Sequence, residues 1–143
     1  MTDPNPDRLS VQKPKILVVE DELVVALDIQ TRLLRMGYEI VGRCSTGEDA
    51  VPLAINTKPD LVLMDILLAG KLNGIAAARQ IRSKIDLPVV FLTAYSDDAT
   101  LRLARLAEPV AYLVKPFDER TLKATIEITL YRHRTVGSQP PVR

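Results

Sequence analysis

The chain has 143 residues, enough for one domain of ordinary size, and 47% of them are hydrophobic, which indicates a globular protein with a buried core. Nineteen basic and eighteen acidic side chains leave a formal charge of +1, so composition gives no reason to expect a direct nucleic-acid or membrane partner. Cys44 is the only cysteine, which excludes an internal disulfide, and no apolar stretch reaches the length of a membrane span or signal peptide. We therefore expect a cytoplasmic protein.

The two ends of the chain lack a periodic apolar pattern. We expect residues 1–14 and residues 135–143 to be tails that flank one domain over residues 15–134. Inside that domain, five short apolar segments favour strands, and segments with helical spacing alternate with them. The predicted strands are Ile16 to Val19, Glu39 to Cys44, Leu61 to Met64, Val89 to Leu92 and Val110 to Val114.

The predicted strands are rich in Val, Ile and Leu without polar alternation, which is typical of strands covered on both faces. Alternating helices require parallel connections, so the pattern predicts an α/β fold, a doubly wound parallel sheet of five strands. In such sheets the reactive groups collect beyond the carboxyl ends of the strands, where the strand order reverses. We expect the order 2-1-3-4-5, which makes strands 1 and 3 neighbours.

Asp65 is the most unusual residue of this pattern, because it interrupts an apolar run in which an unpaired buried charge would be costly. The other strand ends carry polar residues too: Glu20 and Asp21, Thr93, and Lys115 followed by Pro116. With strands 1 and 3 adjacent, the three carboxylates would converge and repel one another. A hard divalent cation relieves that repulsion, and carboxylates with water and a backbone carbonyl, which we predict to be that of Leu67, suit Mg²⁺.

Carboxylates, a metal, a lysine and a hydroxyl are the parts of a phosphoryl-transfer site, and a carboxylate can itself be the nucleophile. Four motifs carry these residues in order: ILVVEDE at 16–22, DLVLMDI at 60–66, VVFLTA at 89–94 and YLVKPF at 112–117. Together they make the chain, over roughly Lys15 to Arg132, resemble a response-regulator receiver domain of two-component signalling. The resemblance implies a flavodoxin-like (βα)5 fold.

The resemblance also implies how the acidic residues and the lysine act. Asp65 would accept a phosphoryl group from a sensor histidine kinase or a histidine phosphotransfer protein. Asp21 would bind Mg²⁺ directly, and Glu20 would assist. Lys115 would pair with the phosphoryl oxygens, and its bond to Pro116 would be cis.

Two further residues would form the family's switch. Thr93 would move to hydrogen-bond the phosphate, and Tyr112 would turn inward into the space that it vacates. The added charge would thereby change a surface built by the fourth helix, the fifth strand and the fifth helix, which controls binding to an unknown downstream protein.

The loop after Asp65 departs from the family's pattern, since it lacks a proline and reaches its glycine, Gly74, one residue later. We therefore expect a longer and looser loop. Two residues past the acceptor and past the switch threonine stand Leu67 and Tyr95, which are neither acidic nor amides. Such side chains shield the phosphoryl group and fail to orient water, so we predict slow dephosphorylation.

The role of the surface formed by the last two predicted helices is open. Basic residues there form either an output face or an ordinary solvated surface, and they are Arg102, Arg105, Arg120, Lys123 and Arg132. A homodimer is possible, although Val110 and Ala111 stand where many receivers carry an interface acidic residue. Only a short tail follows the last helix, so the protein either acts by docking onto a partner or belongs to a longer chain.

Rival classes share parts of this pattern. A flavin-binding electron carrier has the same sheet, but Glu20, Asp21 and Glu22 would repel its phosphate. A metal-dependent phosphatase that forms an aspartyl phosphate normally has a second acidic group where Leu67 stands. The other alternative is a receiver-fold interaction module that works without phosphorylation. We expect no enzyme activity beyond the chain's own phosphotransfer and slow dephosphorylation.

Overall fold

The computed structural model describes residues 13–94 and 111–138. In these ranges the strands are β1 (Lys15–Val19), β2 (Glu39–Cys44), β3 (Leu61–Asp65), β4 (Val89–Ala94) and β5 (Ala111–Lys115). The helices are α1 (Leu23–Arg35), α2 (Gly47–Thr57), α3 (Gly74–Arg82) and α4 (Glu119–Ser138). The helix predicted between β4 and β5 lies outside the described residues, and so do Tyr95, Arg102, Arg105 and Val110.

The sheet has five parallel strands in the order β2-β1-β3-β4-β5, which confirms the predicted doubly wound topology. The strand order reverses between β1 and β3, where Val19, the last residue of β1, is in register with Met64, so that Asp65 extends one residue beyond this pair. Parallel pairing brings all carboxyl ends to one edge. Three strands, β3, β4 and β5, end one or two residues later than predicted. Asp65 and Lys115 are therefore terminal strand residues, and β4 includes Thr93.

Both faces of the sheet are buried, as the unbroken apolar strands predicted. Alternate residues of β3 serve opposite faces, since Val62 and Met64 pack on one side and Leu61 and Leu63 on the other. The first side is covered by alanine-rich α2 and α3, and the second by branched side chains of α1 and α4. Such two-sided burial fixes the strand ends relative to one another.

The C-terminal helix extends beyond the domain boundary that we predicted. It reaches Ser138, whereas the expected tail began at residue 135. Within the part of the chain that the structure describes, no helix combines the length and apolar composition needed to cross a bilayer.

Candidate functional site

Three carboxylates meet at the carboxyl edge of the sheet, between its two central strands. Glu20 follows β1 directly and is fully buried, Asp65 ends β3 and is 6% exposed, and Asp21 is exposed. One oxygen of each lies within 4.8 Å of the others. We call these three residues the acidic cluster.

Lys115 crosses the end of β4 to reach this acidic cluster from β5. Its ammonium donates hydrogen bonds to Glu20 Oε1 at 2.7 Å and to Asp65 Oδ2 at 2.9 Å. The peptide bond between Lys115 and Pro116 is cis. One cation therefore bridges the two buried carboxylates of the cluster.

The protonation of the site follows from burial and charge. Burial raises the pKa of Glu20 to about 7, with the nearby Asp65 charge adding to the effect, although the hydrogen bond from Lys115 opposes it. Burial also lowers the pKa of Lys115, but its bonds to Glu20 and Asp65 outweigh that effect and the net pKa is raised. When ionised, three carboxylates and one ammonium leave two negative charges, which match one divalent cation.

The second oxygen of Asp65 is held by the chain that follows it. Asp65 Oδ1 accepts a hydrogen bond from the Leu67 amide at 3.1 Å, while Oδ2 accepts the bond from Lys115. The Leu67 side chain is 57% exposed, and the hydrogen bond from this residue to Asp65 is made by its backbone amide. Hydrogen bonds on both oxygens thus fix the orientation of the Asp65 carboxylate.

The two predicted switch residues lie on neighbouring strands. Thr93 is 2% exposed, and its hydroxyl donates a long hydrogen bond of 3.5 Å to the Ala94 carbonyl. Tyr112 is half-buried, and its ring stacks on Phe91 with the centroids 6.4 Å apart. Their movement upon phosphorylation stays a prediction.

The loop after Asp65, residues 66–73, is anchored by contacts with a distant turn, although we expected a longer and looser loop. We call this segment the acceptor loop. Ala69 forms a β-bridge with Thr46, and the Lys71 amide donates to Glu48 Oε2 at 2.8 Å. Asn73 closes the loop by accepting the Ala76 amide as the cap of α3. Contacts from a distant turn therefore replace the missing proline.

Sequence reasoning missed Glu48. An acidic residue in the first turn of a helix is a common preference, so nothing in the sequence separated Glu48 from its neighbour Asp49. Cys44, to which we assigned no chemistry, is half-buried, and burial raises the pKa of its thiol to about 11. Three of the predicted basic-face residues lie exposed on α4: Arg120, Lys123 and Arg132.

Residues 16–127 match the family described as the response regulator receiver domain. The chain belongs to this family. As a receiver domain it is a phospho-accepting signalling module of two-component systems, and such domains bind Mg²⁺ at their acidic site and interact with kinases or phosphotransfer proteins. The comparisons do not favour the phosphatase or the phosphorylation-independent module.

The receiver domain is 41% identical over 136 residues to the transcriptional regulatory protein PdtaR of Mycobacterium tuberculosis, a match that covers 95% of this chain and 66% of PdtaR. This chain therefore spans just under two thirds of that relative. Among solved structures, the signal receiver domain of a modulated diguanylate cyclase from Desulfovibrio desulfuricans has a TM-score of 0.81 at 33% identity. That match covers 87% of this chain and 98% of the other.

A second solved structure bears on the metal. The receiver domain of the sensor histidine kinase PA1611 from Pseudomonas aeruginosa has a TM-score of 0.77 at 29% identity, covering 84% of this chain and 99% of that one. That structure holds a magnesium ion in its active-site cleft. The donor set of the acidic cluster, which is made of oxygen atoms alone, fits the same ion.

Proposed function

We propose that Asp65 is the phosphoryl acceptor of this receiver domain and that it works with Mg²⁺. Asp21 and Asp65 would bind the ion, Glu20 would assist, and the Leu67 carbonyl would complete the protein ligands. The observation that carries the proposal is the bridge from Lys115 to Asp65 at 2.9 Å and to Glu20 at 2.7 Å. The Lys115 ammonium held there neutralises negative charge at the place where the phosphoryl oxygens would lie.

The chain's own residues supply orientation and charge for the transfer. One carboxylate oxygen of Asp65 attacks phosphorus, and the bond from phosphorus to the donor's histidine nitrogen breaks. The Leu67 amide and Lys115 hold the carboxylate, and Lys115 then pairs with the phosphoryl oxygens. Bound Mg²⁺ supplies further neutralisation of those oxygens.

The phosphorylated state would be transmitted through β4 and β5. Thr93 would hydrogen-bond the phosphate, Tyr112 would turn inward, and the surface of β5 and α4 would change for a downstream protein. The donor would be a sensor histidine kinase or a histidine phosphotransfer protein in the cytoplasm. A homodimer remains compatible with this scheme, and the chain would catalyse no other reaction.

Intact mass after incubation with acetyl phosphate and Mg²⁺ tests the proposal. We expect one phosphoryl adduct on the wild type and none on Asp65→Asn. The matched control is Asp60→Asn, because Asp60 precedes the opposite end of the same strand, where it accepts the Lys15 amide at 2.7 Å. This control should be phosphorylated like the wild type.

Removal of Mg²⁺ with a chelator should abolish the adduct in the wild type and in Asp60→Asn. An adduct of unchanged yield on Asp65→Asn would refute Asp65 as the acceptor. No adduct on a wild type that binds Mg²⁺ would instead support the interaction module that works without phosphorylation.

A further inference from the structure

Glu48 binds the backbone of the acceptor loop across a long stretch of sequence. Its Oε2 atom accepts the Lys71 amide at 2.8 Å, although 23 positions separate the two residues. Hydrogen bonds from the backbone amides of Lys71, of Glu48 itself and of Leu72 lower the pKa of the Glu48 carboxyl group. The Glu48 carboxylate thus satisfies the Lys71 amide, which would otherwise be left to water.

The backbone of the acceptor loop lies so close to the first turn of α2 that two glycines at this contact could not be larger residues. Gly70 has a φ of +92°, and a Cβ there would lie 2.8 Å from Glu48 Oε1. On the other side, a Cβ at Gly47 would lie 2.5 Å from the Leu72 carbonyl oxygen. Together with the β-bridge between Thr46 and Ala69, these close approaches join the start of α2 to the acceptor loop.

Both ends of the acceptor loop touch the phosphoryl acceptor. At its start, the Leu67 amide donates to Asp65 Oδ1 at 3.1 Å. Directly after its end, the amide of Gly74, the first residue of α3, donates to the Ile66 carbonyl at 2.9 Å, and a Cβ on Gly74 would lie only 2.0 Å from the Asp65 carbonyl oxygen. A shift of the loop is therefore passed to the backbone and side chain of Asp65.

We propose that Glu48 is a positioning residue for the phosphoacceptor site. Its carboxylate holds the acceptor loop so that the Leu67 amide stays on Asp65 and the Leu67 carbonyl stays available to Mg²⁺. This inference rests on the proposed function of Asp65. It also explains how a loop without the family's proline keeps a defined shape.

The competing explanation is that the negative charge of Glu48 only stabilises α2, by lying near the positive N-terminal end of the helix dipole. Asp49 provides the matched control, because it is also exposed and lies in the same first turn with the same charge. A helix-end effect predicts similar consequences for Glu48→Ala and Asp49→Ala. A loop-holding role predicts consequences for Glu48 alone.

Amide hydrogen exchange, followed by NMR on the unphosphorylated protein, tests the loop directly. In Glu48→Ala we expect the Lys71 and Leu67 amides to exchange about tenfold faster, as for the loss of a hydrogen bond to a charged group. The Leu63 amide inside β3 should be unchanged, which separates loop release from global unfolding. Glu48→Gln keeps an acceptor oxygen and should recover most of the protection, whereas Asp49→Ala should match the wild type.

The Mg²⁺ dependence of phosphorylation by acetyl phosphate tests the link to the site. We expect Glu48→Ala to raise the half-saturating Mg²⁺ concentration by about tenfold, the lower range for residues that orient metal ligands, with little change in the plateau rate. Equal shifts in Glu48→Ala and Asp49→Ala, or none in either, would overturn the positioning role. If the wild type accepts no phosphoryl group, the function of Asp65 fails, and hydrogen exchange still decides whether Glu48 holds the loop.

Discussion

The two loops that follow the oppositely charged strand-end residues of the site, Asp65 and Lys115, are held in opposite ways. The acceptor loop follows Asp65 and is bound through the Lys71 amide by the Glu48 carboxylate. The loop after Lys115, residues 116–118, is bound through its carbonyl, because Arg32 Nη1 donates to the Phe117 oxygen at 3.2 Å. We call this second segment the lysine loop.

The difference follows from loop length. The lysine loop is short and begins with Pro116, so it has few backbone angles to fix, and the Arg32 contact joins a loop that Asp118 already ties to the start of α4 by accepting the Thr121 amide at 2.7 Å. The acceptor loop is longer and lacks proline, so ordering it costs more entropy and requires the bridge at Ala69 as well as Glu48. Because the two loops have separate anchors, removing the anchor of one should leave the amides of the other unchanged.

Replacing Lys115 should have the largest effect. In Lys115→Ala the buried carboxylates of Glu20 and Asp65 lose their shared cation, and we expect a loss of about 2–3 kcal/mol in the free energy of unfolding. This loss of stability is at or below the range usual for breaking a buried ion pair, because the Lys115 side chain is 23% exposed to solvent. Urea unfolding without metal measures it.

Added Mg²⁺ should restore part of the stability of Lys115→Ala, because a divalent cation relieves the same repulsion. Phosphorylation by acetyl phosphate should fall by about 100-fold or more, as for other lost transition-state charge contacts. Lys123→Ala, on the exposed face of α4, is the control and should change neither quantity. Equal stability of the two variants without metal would contradict the bridging role of Lys115.

Replacing Gly74 should disturb the acceptor loop at its closing end. A Cβ there would lie 2.0 Å from the Asp65 carbonyl oxygen, so Gly74→Ala must displace backbone, and we expect a loss of about 2–3 kcal/mol with reduced phosphorylation. Gly37→Ala is the control, because Gly37 has a φ of +92° with open space around it. It should lose about 1 kcal/mol from backbone strain alone and keep phosphorylation. Matching phosphorylation defects would show that Asp65 is insensitive to the loop.

The side chains flanking the phosphoryl group should set its lifetime. Adding an acid and an amide in the double variant Tyr95→Glu, Leu67→Asn provides groups that orient water, and the phosphorylated protein should decay about tenfold faster or more. Loss of the adduct mass with time measures the decay. Leu34→Asn is a control, since Leu34 is an exposed leucine on α1. Equal decay of the double variant and the wild type would refute the shielding role of Leu67 and Tyr95.

Arg32→Ala should loosen the lysine loop while leaving the acceptor loop intact. The side chain also pairs with Asp28 at 3.1 Å and is 27% exposed, so we expect a loss of about 1 kcal/mol and a modest drop in phosphorylation rate. Amides of the lysine loop should exchange faster, while the Lys71 amide should be unchanged. Faster exchange of Lys71 would show that the two loops are coupled rather than separately held.

The sheet and the edge that carries the site were predictable, because both follow from local patterns. Apolar strands alternating with helices imply parallel pairing, and parallel pairing places Glu20, Asp65 and Lys115 at one edge whatever the loops do. Strand ends were less predictable, since Asp65 and Lys115 are polar residues that pair within the ladder all the same. The end of the last helix was also not predictable in detail, since α4 continues to Ser138.

The contacts that hold the two loops could not be predicted from the sequence. Glu48 and Lys71 lie far apart in the chain, and neither belongs to a motif that marks a loop anchor. The same holds for Arg32 and Phe117, which are separated by 85 positions. Such pairs depend on the packed tertiary fold rather than on neighbouring residues in the chain, so a local pattern carries no trace of them.

The smallest predicted effect concerns the pH dependence of the acceptor-loop anchor. Backbone hydrogen bonds, first that of the Lys71 amide, lower the pKa of Glu48 below its ordinary value of 4.5 in the folded protein. A carboxyl group with a depressed folded pKa stabilises the fold above its unfolded pKa, and this stabilisation is lost as pH falls through the folded value. The stability difference between wild type and Glu48→Gln should therefore be constant at neutral pH and shrink under acid conditions. Urea midpoints at a series of pH values measure it, with Asp49→Asn as control, and a difference that grows toward acid pH would contradict the anchor.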